Sequence, residues 1–249
     1  MSDYHDRLYQ RYASSHFYYR DLATADQEYA RLAPFYARNY AALLPTSRDA
    51  AILDIACGTG DFCYYLQQAG YTHVNGIDLS PEMVEACHAR GLAGVIHGDV
   101  FDYLATQPNT FDLITAHHFI EHLTKPRIFD FLDAALIALR PGGRLVLTTP
   151  NAASLFGARD IFVDFTHEVG FTPESLTQVM QATDYSEVRT LAVRPVVGSW
   201  RGIARNGLWH MAQILSRVAL AIEGRPLMRP VITSASLIGV GEKTQGESL

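Results

Sequence analysis

The chain has 249 residues, of which 48% are hydrophobic and 18% are charged. Such a composition is typical of a globular protein with a large core, built as one domain or as a domain with appendages. The formal net charge of −6 offers no basic field, so the composition argues against a nucleic-acid partner. The three cysteines form neither an even disulfide framework nor a paired metal spacing, which indicates a reducing compartment.

The N-terminal part is predicted to form a helical cap over residues 1–49, ahead of a main domain at residues 50–249. It lacks a secretory signal pattern, and no uninterrupted apolar run reaches transmembrane length, so we expect a cytoplasmic protein. Residues 22–44 have the spacing of one or two amphipathic helices, with Pro34 at a break or in a first turn. The aromatic residues 17–19 either cover a ligand or dock the N-terminal arm on the core.

A glycine-rich turn follows the first buried strand. Residues 51–55 have the length and composition of a buried parallel strand, and Cys57-Gly-Thr-Gly60 separates them from an apolar helical pattern that begins at Phe62. Because glycine lets the backbone approach a ligand and a helix N-terminus offers unpaired N–H groups, this unit predicts a ligand site. A second strand, residues 73–77, ends at Asp78, where nucleotide-binding units place an acid that accepts ribose hydroxyls.

This turn differs from a dinucleotide fingerprint, because Cys63 stands where the third glycine would be. The segment also carries Asp54 and Asp61 and no lysine, so a phosphate would be poorly bound there. A cationic or zwitterionic nucleoside fits better. The pattern therefore disfavours an NAD-dependent oxidoreductase.

Two motifs resemble those of the class I S-adenosylmethionine-dependent methyltransferases: Asp54-Ile-Ala-Cys-Gly-Thr-Gly60 resembles their first motif, and Gly76-Ile-Asp-Leu-Ser80 their acidic second motif. The resemblance implies S-adenosyl-L-methionine as cofactor and S-adenosyl-L-homocysteine as product. It implies that the glycine turn packs on the methionyl part and that the acid binds both ribose hydroxyls. In this sequence the implied cofactor-binding residues are Gly58, Gly60, Asp78, Leu79, Asp99, Val100 and His117, with Asp99 on the adenine amino group and Val100 on its ring.

Strands and helices alternate along the rest of the chain. The predicted strands that follow are residues 94–97, 111–116, 144–149, 188–193 and 232–240, and the predicted helices are residues 81–90, 129–139 and 173–183. The turn Pro141-Gly-Gly143 before the fifth strand resembles the same family. The resemblance implies an α/β fold with a doubly wound, Rossmann-like sheet of seven strands, mostly parallel with one antiparallel strand.

Polar residues cluster after the fourth and fifth strands, at the edge where open α/β sheets bind ligands. The fourth strand is followed by His117-His-Phe-Ile-Glu-His122, and the fifth by a loop that carries Asp164 and His167 among aromatic residues. Because histidine can take a proton from a hydroxyl at neutral pH, we predict His122 or His167 as the catalytic base and Asp164 as its orienting partner. We assign no metal ligand, since no cysteine or second spaced cluster supports zinc. Asp160, Asp164 and the histidines could hold Mg²⁺, but no ligand spacing requires it.

Other interpretations of this cluster stay open. His117 and His118 could pack through backbone contacts, His122 could cap the next helix, and the loop could be purely structural. The loop resembles a branch of the family that acts in saccharide assembly and in quinone-ring methylation. We therefore predict O-methylation of a sugar hydroxyl, with a phenolic quinone precursor as the alternative acceptor and a non-catalytic cofactor-binding module as the alternative of another class.

A long segment between the last two predicted strands, residues 200–230, is predicted to be an amphipathic helical insertion. Arginines interleave with large apolar residues over residues 200–222. The pattern fits a homodimer face, a lid on the substrate, or a peripheral membrane contact, with core packing as the simplest alternative.

Overall fold

The computed structural model describes residues 25–222, 224 and 232–245. In this part of the chain, seven strands form one sheet in the order β3-β2-β1-β4-β5-β7-β6. β7 is antiparallel to both β5 and β6, and the other neighbouring pairs are parallel. The strands are β1 Ala51–Ile55, β2 His73–Asp78, β3 Val95–His97, β4 Phe111–His117, β5 Leu139–Pro150, β6 Ser186–Ala192 and β7 Ser236–Glu242. The predicted doubly wound, mostly parallel sheet is confirmed.

The described helices connect these strands in the predicted alternation. They are α1 Ala25–Tyr40, α2 Asp61–Gln68, α3 Pro81–Ala89, α4 Val100–Ala105, α5 Lys125–Ala138, α6 Gly157–Phe162, α7 Pro173–Gln181 and α8 Trp200–Ile222, with short 3₁₀ turns at Ala41–Leu43 and Ile120–His122. None of them is long and apolar enough to span a membrane.

Several predicted boundaries are wrong, and in two cases contacts with residues distant in the sequence give the reason. Pro34 lies inside α1 and neither breaks nor begins a helix. Tyr36 and Tyr40 of the following turn pack edge-on against Phe62 of α2, and these contacts offset the missing hydrogen bond. The last strand begins at Ser236 and not at residue 232, because carbonyls of the preceding residues accept hydrogen bonds from the Asn151 side chain instead of from a neighbouring strand.

The sheet is covered on both faces. Alternate residues of the central strands enter opposite clusters: Leu53 packs with α5 on one face, and Ile52 packs with α1 and α2 on the other. Helix α1 therefore belongs to the core as well as capping it. The aromatic residues 17–19 lie outside the described residues, so their role as a lid or an anchor stays a prediction.

The C-terminal edge of β1, β2 and β4 carries the candidate site. The loop that contains α6 begins at the end of β5, at the same edge. Helix α8 also leaves from this edge, because Ala192 at the end of β6 and Pro150 at the end of β5 pair with Leu237 and Ser236 at the start of β7. The loop with α6 and the connection with α8 thus both begin at the edge of the sheet that carries the candidate site.

Candidate active site

The glycine turn is open on one side and tightly packed on the other. Gly58 and Gly60 have φ values of 54° and 73°, which favour glycine. A Cβ on Gly60 would collide with Leu92 and lie 2.8 Å from the Cys87 Sγ atom. A Cβ on Gly58 would meet nothing within 4 Å. The absence of a side chain at Gly60 therefore lets the turn pack closely against α3. Gly58 borders open space in which a ligand can approach the backbone.

Asp78 lies beside this open side. Its Oδ2 atom accepts a hydrogen bond from the Gly58 N–H at 2.8 Å, and its Oδ1 atom accepts one from the Ser80 N–H at 2.9 Å. Burial raises the pKa of Asp78, and these two hydrogen bonds counteract the rise. Each carboxylate oxygen has a further lone pair, so this side chain can accept two hydroxyl protons from a ribose.

Three more residues implied to bind the cofactor, two of them at the adenine ring, lie at the ends of β2 and β3. Leu79 is exposed and Val100 is buried at the start of α4. Asp99 is the N-cap of α4, with its Oδ1 atom accepting from the Phe101 and Asp102 N–H groups. This hydrogen bonding orients the Asp99 carboxylate, and its contact with an adenine stays a prediction.

A buried pair of titratable groups lies under the turn. His117 Nδ1 is 3.1 Å from the Thr148 hydroxyl, and the ring sits edge-on to Phe62 and Tyr40. His117 Nε2 has no hydrogen-bond partner among the described residues and lies 4.0 Å from Asp54 Oδ1. Burial lowers the pKa of His117 to about 3 and raises the pKa of Asp54 to about 7. The pair is therefore not an ion pair, and a cationic ligand nearby would favour the charged form of Asp54.

The predicted base and its orienting partner come together through a residue that the sequence did not single out. The Thr166 hydroxyl donates to Asp164 Oδ1 at 2.7 Å, and His122 Nδ1 lies 2.8 Å from the same hydroxyl. Since the Thr166 proton is directed to the carboxylate, the hydroxyl oxygen accepts from His122 Nδ1–H. His122 is thus held in the tautomer that carries a lone pair on Nε2, as a general base requires.

His167, the other predicted base, packs against His122. The two ring centroids are 4.7 Å apart in an edge-to-face arrangement. Its Nδ1 atom lies 2.7 Å from the Ile161 carbonyl oxygen, which can only accept, so His167 also carries its lone pair on Nε2. The alternative that His122 caps the next helix is wrong, because the N-cap of α5 is Thr124.

Glu121 lies beside the two histidines and is fully buried. Its Oε1 atom is 3.2 Å from Nδ1 of exposed His118, whereas its Oε2 atom has no hydrogen-bond partner among the described residues. Burial would raise the pKa of Glu121, but His118 and His122 outweigh burial and lower it. Partial desolvation would lower the pKa of His118, but the hydrogen bond and charge attraction to Glu121 outweigh it and raise this pKa. Glu121 is therefore ionised at neutral pH, and His118 has a backbone φ of 53° that is unusual outside glycine.

The potential ligand atoms of Glu121, His122 and His167 lie within 4.8 Å of one another, close enough to hold a metal ion. One carboxylate and two imidazoles are a ligand set that several divalent metals accept. The prediction that no metal is required therefore stays untested. Burial lowers the pKa of His122, the neighbouring carboxylates counteract the effect, and a neutral His122 suits both a base and a ligand.

Comparison with known proteins identifies the family. The profile of a family described as a methyltransferase domain matches residues 27–190, more than half of the chain. The chain belongs to the methyltransferase family. Both motifs that resemble those of the class I S-adenosylmethionine-dependent methyltransferases lie inside the matched residues.

Relatives and solved structures agree with this assignment. The methyltransferase is 37% identical over 107 residues to a ubiquinone biosynthesis O-methyltransferase of Xylella fastidiosa, a match that covers 41% of this chain and 42% of the relative. The chain thus matches less than half the length of that relative.

A methyltransferase structure from Archaeoglobus fulgidus covers 97% of this chain and all of its own at a TM-score of 0.63 and 21% identity. Phosphoethanolamine N-methyltransferase 2 of Haemonchus contortus, solved with S-adenosyl-L-methionine, covers 98% of this chain and 61% of its own at a TM-score of 0.62 and 16% identity. These two likenesses show the fold.

Several contributors to the site were missed by sequence reasoning. Thr166 bridges the base and its acid, Glu121 contributes a buried carboxylate, and Tyr40 bonds Thr148 at 2.9 Å behind His117. Glu121 stood inside the quoted histidine motif, and Thr166 stood between Asp164 and His167. No local pattern signals Tyr40, because it reaches the site from 108 residues away.

Proposed function

We propose that this methyltransferase transfers a methyl group from S-adenosyl-L-methionine to a hydroxyl oxygen of its acceptor. The carrying observation is the hydrogen-bonded chain from His122 through Thr166 to Asp164, which aligns a neutral imidazole at the C-terminal edge of the sheet. A hydroxyl is a weak nucleophile, so its proton must leave as the bond to carbon forms. An aligned imidazole serves this need.

In the proposed reaction, the Nε2 atom of His122 takes the proton of the acceptor hydroxyl. The hydroxyl oxygen attacks the methyl carbon of the cofactor in line with the carbon–sulfur bond. That bond breaks, its electron pair stays on sulfur, and S-adenosyl-L-homocysteine leaves as a neutral thioether. Asp164 stabilises the imidazolium through Thr166, and the protein contributes alignment and exclusion of water.

We favour a phenolic acceptor of the quinone-precursor type that carries an apolar chain. Support comes from the Xylella relative, which is named for ubiquinone biosynthesis, and from exposed apolar side chains of the loop around α6. Among these, Phe162 and Phe165 flank Asp164 in the sequence and are both more than four-fifths exposed. An apolar chain on the acceptor would cover such side chains and add binding energy remote from the reacting oxygen.

A saccharide acceptor, the first expectation from the sequence, is the second candidate. The same loop supports it with Arg159 and Asp160, whose side chains lie 3.7 Å apart and form a polar pair. A cytoplasmic location is also proposed, since Cys57, Cys63 and Cys87 are all free thiols.

The decisive experiment supplies the purified chain with S-adenosyl-L-methionine and three acceptors: a prenylated catechol, a short-chain catechol and a nucleotide sugar. We expect a mass gain of one methyl group on catechol oxygen, with the prenylated acceptor preferred. The double variant His122→Asn/His167→Asn should lose about 10²–10⁴-fold in kcat. His73→Asn, a change at an exposed histidine of β2, is the matched control.

Thr166→Val separates positioning from folding. It should lower kcat and shift the limb of the pH–rate profile along which the rate rises with pH, because His122 loses the group that fixes its tautomer. The affinity for S-adenosyl-L-homocysteine should stay unchanged. Full turnover by the double histidine variant would contradict the proposed base. If only the nucleotide sugar is methylated, the saccharide and not the phenol is the acceptor.

A further inference from the structure

Helix α8 turns its apolar side chains toward solvent. Eight of its large hydrophobic residues are each more than half exposed, and of the whole helix Gly202 alone is buried. Core packing, the simplest expectation for this segment, is therefore wrong. The exposed hydrophobic residues are Trp200, Ile203, Leu208, Met211, Ile214, Leu215, Val218 and Ile222.

The exposed and inward residues of α8 form two opposite faces. At 3.6 residues per turn, the eight exposed residues gather on one side of the helix. The inward positions recur every three or four residues on the other side, and only two of them carry large apolar side chains. These half-buried or buried residues are Gly202, Asn206, Trp209, Gln213, Ser216 and Leu220. The amphipathic pattern is thus inverted relative to a helix that packs on its own core.

The charges of α8 are all of one sign. The helix carries arginines and a histidine but no aspartate or glutamate, although the chain has a formal net charge of −6. Arg201 and Arg205 border the apolar face on one side, and His210 and Arg217 border it on the other. An apolar stripe with basic residues on both sides complements a surface that has an apolar interior and anionic groups at its boundary with water.

We propose that α8 binds the surface of an anionic lipid bilayer. Its apolar face lies at the boundary between headgroups and acyl chains, and its arginines contact lipid phosphates. A second copy of the chain is a poorer occupant, because two such faces would bring arginines together with no carboxylate on either helix to pair with them.

The position of α8 in the fold gives this contact a consequence. The connection that holds α8 and the loop that holds α6 both leave the C-terminal edge of the sheet, where His122 and Asp78 lie. An acceptor with an apolar chain could therefore reach the site from the bilayer. Only this consequence rests on the proposed function; the lipid contact itself does not.

The two tryptophans of the chain, Trp200 and Trp209, both lie on α8 and report on it directly. In the variant Trp209→Phe, the remaining indole is that of Trp200 on the apolar face. We expect its emission to shift to shorter wavelength on vesicles of phosphatidylcholine with phosphatidylglycerol, and brominated lipid to quench it. Phosphatidylcholine alone and high salt should weaken the effect, because charge attraction is screened.

Matched variants test which residues carry the contact. Ile214→Asp should lower cosedimentation with the anionic vesicles by about tenfold or more, since it places a charge in the apolar face. Ile137→Asp on α5 is the control, because the two isoleucines are 58% and 59% exposed. Arg205→Gln/Arg217→Gln should cost about thirtyfold of the binding to anionic vesicles, whereas Arg189→Gln on β6 should cost little.

Three results would overturn the proposal: no partition of the full chain on anionic vesicles, equal losses for Ile214→Asp and Ile137→Asp, or a dimer by light scattering that Ile214→Asp dissociates while vesicles bind nothing. These results are independent of methyl transfer. Vesicle binding without any O-methylated product would contradict the proposed acceptor and leave the lipid contact standing.

Discussion

At the scale of single residues, the most unusual pair is Asp54 and His117. The His117 Nε2 and Asp54 Oδ1 atoms lie 4.0 Å apart, Asp54 is buried and His117 is partly buried. The loss of solvent keeps each group neutral over part of the acidic range. Burial raises the pKa of Asp54 from 3.8 to about 7 and lowers the pKa of His117 from 6.5 to about 3. Their effects on stability therefore run in opposite directions as pH changes.

The sign follows from which state holds the proton. Between about pH 4 and 7, folded Asp54 keeps a proton that the unfolded chain has lost, so its contribution to stability falls as pH rises. Between about pH 3 and 6.5, the unfolded chain protonates His117 and the folded state does not, so its contribution rises with pH. The two contributions offset each other over most of the shared range.

The variant Asp54→Asn should reveal how His117 alone contributes to the pH dependence of the free energy of unfolding. The free energy of unfolding of the variant, relative to the native chain, should increase between pH 4 and 7 by a few kcal/mol, at about 1.4 kcal/mol per pKa unit. Urea unfolding at closely spaced pH values measures it, with the exposed Asp102→Asn as control. Parallel pH profiles for Asp54→Asn and the native chain would show that Asp54 titrates normally.

At the scale of elements, the glycines before and after α2 serve different purposes. Gly58 and Gly70 both have positive φ and no neighbour near a prospective Cβ, but only Gly58 borders Asp78. Gly60 has positive φ and is also packed against Leu92. Three alanine substitutions therefore distinguish backbone strain, packing and ligand contact.

We expect Gly58→Ala and Gly70→Ala each to cost about 1–2 kcal/mol of unfolding free energy, the cost of a left-handed backbone for alanine. Only Gly58→Ala should also weaken binding of S-adenosyl-L-homocysteine, by tenfold or more in calorimetry, because its methyl group occupies the ligand's approach. Gly60→Ala should cost more stability than either, through overpacking. Equal cofactor affinity in the Gly58 and Gly70 variants would place the cofactor elsewhere.

The element boundaries show where sequence reasoning stops. Strands β1 and β2 and helices α3 and α7 lie within two residues of their predicted bounds, since each is a buried run or has a capping residue such as Ser80 or Thr172. Helix α5 begins earlier than predicted, at Lys125, because its N-cap Thr124 and first-turn Pro126 lie ahead of the apolar run. Residues 232–235 resemble a strand but bond to Asn151, a partner that no local pattern reveals.

At the scale of the whole molecule, cofactor binding should couple to unfolding. S-adenosyl-L-homocysteine should raise the apparent Tm with the logarithm of its concentration, equivalent to about 2.7 kcal/mol at a hundred times its Kd, whereas NAD should not. Asp78→Asn should reduce this shift, because an amide offers one acceptor oxygen where the carboxylate offers two. An equal shift in the variant would remove Asp78 from the cofactor site.

Most strands and helices, the glycine turn, Asp78 and the histidine cluster follow from residues adjacent along the chain: buried runs, glycines with special φ, and acids at strand ends. The arrangement of the strands in one sheet of seven was implied by the family resemblance. Tertiary structure alone decided that Thr166 joins His122 to Asp164, that Asp54 and His117 face each other as neutral groups, and that α8 turns its apolar face outward. Periodicity shows that a helix has two faces, but which face meets the core depends on chain segments far away in the sequence.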